Sequence, residues 1–363
     1  MKVLYISHNK EGSAWSSTAN KHMLALDSVG VDVVSRTVKL NNFAGEYPDK
    51  IKEFEAKDTN NVDYVIQHIL PHHYQHFGRC KANIGFYLND MDTLNIPMWT
   101  NKIGLMDRMW CPNLNTAHVL QPISKRVDIV PHPTDMSIYG KKYDKVDLGS
   151  HNDNYIFYFI GELISRKNIK DMIRAFHTEF GINEPVSLLL KVNKAGVPSQ
   201  KIMEMLTNEI NNLKQSLKLY PSTEQYHKEI IVAGNIPQEE ICQIHTTGNC
   251  YLNLSHGEAW SIPTFDAMMF GKQIIAANHY YDYLCDYPYY PVYPTSDDVL
   301  GYNDTFFELG NSKEKWLSYS MSDVRNAMRF AFNERNRFVL KTPINKYDID
   351  SIGQLMVEKL SGI

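Results

Sequence analysis

Short apolar runs rich in β-branched and aromatic residues alternate with helix-like segments along most of this chain. The first series contains the runs KVLYIS (2–7), VDVVSRTV (31–38), VDYVIQHIL (62–70), ANIGFYL (82–88) and RVDIVPHP (126–133). A segment with helical apolar spacing, ending at Gly30, joins the first run to the second. Strands that alternate with helices in this way predict an α/β domain with a parallel sheet, whose ligands lie at the carboxyl ends of the strands.

A second series of the same kind follows a polar segment without periodicity. Its apolar runs are YIFYFIG, SLLLKV, EIIVAGNI and CYLNLS. A chain of 363 residues is too long for one ordinary core and fits two domains. We therefore expect an α/β fold with two Rossmann-like domains facing each other across a cleft. The predicted divisions are a first domain over 1–135, a linker over 136–152, a second domain over 153–335, and a helical segment over 336–363 that could pack back on the first domain.

Charge and cysteine content exclude several classes of protein. The formal net charge is −4 and the pI is about 6.4, so a nucleic-acid partner is possible but not indicated. The 5 cysteines are scattered without a CxxC pair, which argues against a disulfide framework and favours a reducing, cytoplasmic setting. No stretch of roughly 20 apolar residues predicts a transmembrane segment, and we expect a soluble protein.

The stretch SHGEAWSIPTFDAMMFGKQIIAA (255–277) places one carboxylate on each side of a predicted helix start. Pro263 suits a first helical turn, and Gly257 allows the backbone to approach a ligand closely. The free N–H groups of such a turn bind anions, most often phosphate. Glu258 and Asp266 would repel a phosphate, but their oxygens could accept hydrogen bonds from the hydroxyl groups of a nucleotide sugar. The alternative is an unrelated pair of loop and helix-face charges.

This stretch resembles the donor-site signature of glycosyltransferase family 4, whose members are retaining enzymes of GT-B architecture. The family signature is Glu, seven residues, Glu, and here Asp266 stands at the second position. The resemblance implies that Glu258 contacts the transferred sugar and that Asp266 holds the ribose. It also implies that the N–H groups of Trp260, Ser261 and Ile262 receive diphosphate or sugar oxygens.

Two further segments of the second domain resemble the same family. In FIGELISRKNIKDMIRAF, Lys167 stands at the family's lysine position, whereas the usual arginine is replaced by Glu162 and Arg166 could substitute for it. Such cations offset the charge that grows on a leaving diphosphate. The segment AGNIPQEEICQIHTTG implies that Gly234, Asn235 and Ile236 pass the nucleobase. A solvated basic turn and a plain strand-to-helix turn are the respective alternatives.

The first domain, on the acceptor side by resemblance, offers four candidate residues. Gly12 and Ser13 occupy the place of the family's glycine-rich loop, although the match is loose. Asp90 follows a predicted strand, and His68 or a neighbouring histidine could touch the acceptor. Aromatic packing of the tyrosine-rich segment 279–294 is favoured over stacking on an acceptor.

Two patterns suggest a metal site, and we favour neither. His72 and His76 would lie one turn apart if they were helical, but no third ligand is visible nearby. The sequence DMD, from Asp90 to Asp92, imitates the metal-binding DxD of the other large glycosyltransferase architecture, which has a single nucleotide domain. We therefore expect no metal and no cofactor besides the nucleoside-diphosphate sugar as co-substrate.

The expected function is retaining, metal-independent transfer of a sugar from a nucleoside-diphosphate sugar to a hydroxyl acceptor. The acceptor is a glycan, a small molecule or a modified base. Alternatives are a nucleotide-sugar-binding protein without transfer activity, a GT-B epimerase or phosphorylase, and a DNA-modifying glycosyltransferase.

Overall fold

The computed structural model describes residues 1–40, 44–299, 313–336 and 345–362. The chain divides into two compact units. The first unit contains residues 1–137 and the C-terminal helix, and the second unit begins at residue 138 and includes the described residues through 336.

The first unit is a six-stranded parallel sheet with helices. Its strands are β1 (Lys2–Ser7), β2 (Asp32–Thr37), β3 (Tyr64–His68), β4 (Ala82–Phe86), β5 (Arg108–Cys111) and β6 (Val127–Ile129), in the order β2-β1-β3-β4-β5-β6. Its helices are α1 (Ala14–Ser28), α2 (Asp49–Ala56), α3 (Pro97–Ile103), α4 (Leu114–Leu120) and, from the C-terminus, α10 (Ile349–Ser361). Every residue of β3 and β4 is buried, as expected for a parallel sheet covered on both faces.

Helix α10 packs tightly on α1 within this unit. A Cβ atom on Gly353 would lie 2.0 Å from the carbonyl oxygen of Ala25, so only glycine permits the observed approach of the two helices. Arg108 Nη1 in β5 donates to the carbonyl oxygen of Lys359 at 2.9 Å. The C-terminal helix is therefore joined to the first unit by backbone proximity and by a side-chain hydrogen bond.

The second unit contains another six-stranded parallel sheet and a small hairpin. Its strands are β7 (Tyr155–Glu162), β8 (Val186–Asn193), β9 (Ile230–Ala233), β10 (Cys250–Asn253), β11 (Gln273–Ala277), β12 (Tyr290–Val292), β13 (Thr295–Asp298) and β14 (Lys315–Ser318). The sheet order is β12-β11-β10-β7-β8-β9, and β13 pairs with β14 in antiparallel fashion. Its helices are α5 (Ile169–Glu179), α6 (Ser199–Leu217), α7 (Gln238–Thr247), α8 (Ile262–Met269) and α9 (Met321–Asn333).

The core of the second unit lies between this sheet and helices α5, α6 and α9. Phe157 and Phe159 of β7 and Leu188 and Leu190 of β8 alternate along their strands and face the same core. The opposite face of β7 carries Tyr158, which contacts α7. The sheet is thus covered on both sides, and its strand ends carry the loops that matter for function.

The two α/β units agree with the fold class predicted from the sequence. That prediction missed β5, β11 and β12 of the two six-stranded sheets and the hairpin of β13 and β14. Strand β5 has only four residues and begins with a buried arginine, so it does not read as an apolar run. Strand β12 contains Pro291 and lies at the edge of its sheet, where proline is tolerated because one side needs no ladder hydrogen bond.

No helix in the described parts of the chain is both long and apolar enough to cross a membrane.

Candidate functional site

The basic pair predicted from the sequence follows β7 in a single 3₁₀ turn, Ser165–Lys167. Asn168 ends this turn in the left-handed region, with φ of 51°, and also begins α5. The carbonyl oxygen of Arg166 accepts a hydrogen bond from the N–H of His256 at 2.8 Å. The loop after β7 is therefore tied to the loop after β10, although 90 residues separate Arg166 from His256 in the sequence.

Glu258 joins both cations in one network. Lys167 Nζ contacts Glu258 Oε1 directly, and Arg166 Nη1 lies 3.6 Å from Oε2. Arg166 also donates to the carbonyl oxygen of Gly257 at 2.6 Å, and Ser255 Oγ donates to Glu258 Oε1 at 3.0 Å. The three residues predicted to be catalytic thus lie together, and Ser255 is an addition to them.

The two cations keep Glu258 ionised. Burial raises the pKa of Glu258, but the charges of Lys167 and Arg166 outweigh burial and hold the pKa below its ordinary value of 4.5. The carboxylate is consequently ionised at neutral pH. Two cations and one carboxylate therefore lie together just before the start of α8.

The start of α8 has an unusual backbone conformation. Ser261 precedes the helix with φ of 61° and ψ of 81°, a region that non-glycine residues occupy only when their surroundings enforce it. The Asn253 amide donates to Ser261 Oγ at 2.9 Å and to Thr264 Oγ1 at 2.7 Å. The Tyr283 hydroxyl donates to the carbonyl oxygens of Trp260 and Ser261 at 2.7 and 3.1 Å. These buried hydrogen bonds hold the turn in place.

This turn leaves backbone donors at the helix start. Thr264 N–H bonds to the Ser261 carbonyl, and Pro263 has no N–H group. The N–H groups of Ser261 and Ile262 have no acceptor among the residues that the structure describes. A helix N-terminus with unsatisfied donors attracts an anion.

Asp266 belongs to a second network. Its Oδ1 accepts a hydrogen bond from the Tyr139 hydroxyl at 2.6 Å, and its Oδ2 lies 4.0 Å from His245 Nε2 in α7. Burial lowers the pKa of His245 to about 3, so this histidine is neutral. Asp266 is itself buried. The structure therefore ties Asp266 to the segment before β7 and ties Glu258 to the basic turn after it.

The loop after β9 places Gly234, Asn235 and Ile236 at the carboxyl edge of the sheet. Gly234 has φ of 96° and donates its N–H to the Val192 carbonyl at 2.8 Å. A Cβ on Gly234 would lie 2.8 Å from Ser199 Cβ, so glycine is required both for conformation and for space. Asn235 is exposed.

Glu162 occupies the place of the family's arginine at the end of β7, and its side chain lies beside the loop after β8. Its Oε1 accepts from Ala195 N–H at 3.4 Å. Glu162 is half-buried in the structure.

Sequence reasoning missed Tyr139, Asn253 and Tyr283, which position the site from outside the recognised motif. Asn253 offered one signal, since it is a polar residue near the end of an apolar strand. Tyr139 and Tyr283 offered none, because each reaches the site through the tertiary fold.

In the first unit, the four candidates follow three neighbouring parallel strands. Gly12 and Ser13 follow β1, His68 ends β3, and Asp90 comes shortly after β4. Because the strands are parallel and adjacent, these residues lie at one edge of the sheet. Gly12 has φ of 65°, and Ser13 caps α1 by accepting the Ser16 N–H at 3.2 Å.

His68 is fully buried and neutral. Its Nδ1 bonds to the Tyr5 hydroxyl at 2.9 Å, and its ring stacks on Phe86 at a centroid distance of 4.4 Å. Burial, followed by the neighbouring His22 and His8, lowers the pKa of His68 well below its ordinary value. Its Nε2 has no hydrogen-bond partner among the described residues.

The condition for a histidine metal site is not met. The 3₁₀ turn Pro71–His73 ends before His76, so His72 and His76 do not lie on one turn of an α-helix. Within the described ranges, no group of three or more His, Cys, Asp or Glu side chains could hold a metal ion.

Comparisons with known proteins match part of the second unit by sequence and nearly the whole chain by structure. Residues 141–283 match the model of the family "Glycosyl transferases group 1". No curated protein sequence matches the chain.

Solved structures with similar folds share little sequence with this chain. A sucrose-phosphate synthase from Thermosynechococcus elongatus is 14% identical, with a TM-score of 0.61 over 99% of this chain and 94% of that one. An α,α-trehalose-phosphate synthase (UDP-forming) from Burkholderia xenovorans, in complex with glucose-6-phosphate, is 10% identical, with a TM-score of 0.62 and full coverage of both chains, 100% and 100%. A lipopolysaccharide outer core galactosyltransferase is 11% identical, with a TM-score of 0.62 over 100% of this chain and 99% of that one. The expected GT-B fold and the expected resemblance are both confirmed.

Proposed function

We propose that this chain, a glycosyltransferase with a group 1 segment on a GT-B fold, transfers a sugar from a nucleoside-diphosphate sugar to a hydroxyl group with retention of configuration and without a metal ion. The observation that carries the proposal is the network of Arg166, Lys167 and Glu258 beside the N-terminus of α8. The chemistry and the residue roles below are part of this proposal.

The diphosphate of the donor would bind beside the two cations and the start of α8. Arg166 and Lys167 supply two side-chain cations, and Ser261 and Ile262 supply backbone donors that need an acceptor. Fixed cations and N–H groups in a largely buried site stabilise the charge that develops on a leaving diphosphate. They perform the task that a metal ion performs in other transferases, which supports a metal-independent reaction.

Transfer with retention follows from attack on the face that the leaving group departs from. The bond between the anomeric carbon and the donor phosphate oxygen breaks, and the acceptor oxygen forms a bond to the same carbon. The acceptor proton passes to the departing phosphate oxygen, so the products are a glycoside and a nucleoside diphosphate. No protein nucleophile is needed, and positioning and electrostatics supply the catalysis.

Glu258 would then have two tasks. Its carboxylate accepts hydrogen bonds from hydroxyl groups of the transferred sugar, and it orients Lys167 through their ion pair. We assign the ribose to Asp266, whose carboxylate is oriented by Tyr139, and the nucleobase to the backbone of Gly234, Asn235 and Ile236.

The acceptor is assigned to the edge of the first sheet, where Gly12, Ser13, His68 and Asp90 lie. Its chemical class is a molecule with a free hydroxyl group. All five cysteines are free thiols, which favours a cytoplasmic location.

The binding half of the proposal is tested by thermal unfolding with a panel of nucleoside diphosphates and nucleotide sugars. One nucleotide series should raise the Tm, since a ligand at 100 times its Kd adds about 2.7 kcal/mol to the folded state. The double variant Arg166→Ala/Lys167→Ala should lose this shift. Lys170→Ala/Arg174→Ala is the matched control, because both residues are exposed cations on α5. No shift for any nucleotide with the wild-type protein would refute the donor site.

The transfer half is tested by release of nucleoside diphosphate from the donor that the panel identifies. Slow hydrolysis of the donor, lost in Glu258→Gln, would support a transferase. Tight binding without hydrolysis or transfer would instead support a nucleotide-sugar-binding protein, an alternative favoured by Glu162 in place of the family's arginine.

A further inference from the structure

Most of the Lys191 side chain is buried in the second unit. It lies in β8 with 5% of its surface exposed. Neither a hydrogen bond nor an ion pair links its ammonium group to another residue in the described parts of the chain. Burial alone lowers its pKa from the ordinary value of 10.5.

Two other lysines of the same unit, one buried and one half-buried, have acceptors within the protein. Lys214, also 5% exposed, donates to the His227 carbonyl at 2.8 Å and to Glu229 Oε2 at 2.7 Å. Lys272 donates to the Thr246 carbonyl at 2.9 Å. Lysine is rarely buried unless it is paired, because its charge loses hydration without compensation. Among the described residues Lys191 has no such partner, and its Nζ is not one of the fully enclosed atoms that lack a hydrogen bond, so the ammonium group at the end of a buried stem is open to an acceptor from a bound ligand.

The register of the sheet places Lys191 between the two loops assigned to the donor. Lys191 pairs with Ile160 of β7 on one side and with Val232 of β9 on the other. Two residues farther along, β7 reaches Glu162 before the basic turn, and the chain after β9 reaches Gly234. The side chain thus stands near the carboxyl edge of a parallel sheet, where ligands bind, and has apolar neighbours on both adjacent strands.

The ammonium group of Lys191 only donates hydrogen bonds, and this determines which ligand atom can contact it. The partner must present an acceptor oxygen. The diphosphate already has Arg166, Lys167 and the start of α8, all on the β7 and β10 side of the sheet, whereas β8 adjoins the β9 loop that contains Gly234. Resting on the donor site proposed above, we propose that Lys191 donates a hydrogen bond to a carbonyl oxygen of the nucleobase. The enzyme would accordingly favour uracil or guanine over adenine, which has no carbonyl group.

The test uses the full-length protein and the variant Lys191→Met, which keeps most of the side-chain length and removes the charge. Titration calorimetry is run with uridine, guanosine and adenosine diphosphates, with the monophosphate of the preferred base, and with inorganic pyrophosphate. We expect the wild type to prefer the uridine or guanosine compound. In Lys191→Met, affinity for the preferred diphosphate and monophosphate should fall by the same factor, about 10- to 100-fold, as for a lost hydrogen bond to a charged group. Affinity for pyrophosphate and adenosine diphosphate should stay unchanged.

The Tm of the free protein distinguishes a ligand contact from a purely structural role of Lys191. Removal of an unpaired buried charge should leave the Tm of the free protein unchanged or raise it, while ligand affinity falls. The matched control is Lys201→Met, an exposed lysine of α6 in the same unit, which should change neither quantity. Lys191→Gln, which restores an uncharged donor, should recover part of the affinity.

Several results would overturn the proposal. Equal losses for pyrophosphate and nucleotide would assign Lys191 to the phosphates. Unchanged nucleotide affinity in both Lys191 variants, or a wild-type preference for adenosine diphosphate, would remove the base contact. Wild-type protein that binds pyrophosphate but no nucleoside would overturn this inference and leave the phosphate site. Protein that binds neither would overturn the proposed function and this inference together.

Discussion

Neutralising Glu258 tests the central network, and the substitution Glu258→Gln preserves shape while removing one charge. Lys167 and Arg166, whose side chains are only 15% and 13% exposed, would keep their charges and lose the Glu258 carboxylate. Breaking a buried ion pair on one side costs about 3–5 kcal/mol, and we expect the lower end because both cations retain some hydration. For a unit of this size, a loss of about 3 kcal/mol lowers the Tm by roughly 6–12 °C.

The effect should depend on pH in a defined direction. The folded pKa of Glu258 lies below its ordinary value of 4.5, because the two cations outweigh burial. Its stabilisation is therefore complete above pH ~4.5 and is lost as the pH falls through the folded pKa. The stability difference between wild type and Glu258→Gln should be largest near neutral pH and should shrink in acid.

A nucleoside diphosphate should partly rescue the variant. In the free protein Glu258 neutralises cations that the diphosphate would otherwise use, so Glu258→Gln should bind the nucleotide at least as tightly as wild type while losing turnover. Urea unfolding at neutral and acid pH, with and without nucleotide, measures all three effects. Glu204→Gln is the control, since Glu204 forms an exposed ion pair with Lys201. A variant within about 0.5 kcal/mol of wild type at neutral pH, the range of ordinary surface substitutions, would refute the reasoning.

Two further predictions concern groups outside this network. Tyr139→Phe removes the hydrogen bond to the Asp266 carboxylate and should cost about 1.5–3 kcal/mol in urea unfolding. Tyr143→Phe removes a hydrogen bond to the neutral backbone carbonyl of Ile138 and should cost about 1 kcal/mol, and equal costs would contradict the importance of the carboxylate. Burial lowers the pKa of His22 to about 4 in the folded protein. The free energy of unfolding is therefore unaffected by this histidine above pH ~6.5 and falls by about 2 kcal/mol at pH ~5, where the unfolded chain binds the proton more readily. His22→Gln should flatten the pH dependence of the stability of the first unit. The control His118→Gln, at an exposed position, should leave that dependence unchanged. An unchanged pH profile in His22→Gln would show that another group titrates.

Much of the site was accessible from the sequence because its motifs are local. A glycine-containing turn, a proline in the first turn and a polar run after an apolar strand predict a helix start with free donors, and α8 begins at Ile262 as expected. The basic pair and Glu258 were predicted from the resemblance to glycosyltransferase family 4, and they lie 91 residues apart in the sequence. What the patterns did not contain was the contact between them.

The sequence by itself determined the alternation of strands and helices, the division into two α/β series and the residue types at the strand ends, since these depend on periodicity within a few residues. The tertiary structure alone decided which side chains meet. Asp266 contacts Tyr139 across 127 residues. Lys191 has no partner among the described residues because β8 lies between β7 and β9, whose neighbouring residues are apolar. Strand order and register set these distances, and both arise from burial of the whole sheet between its helices rather than from any local signal.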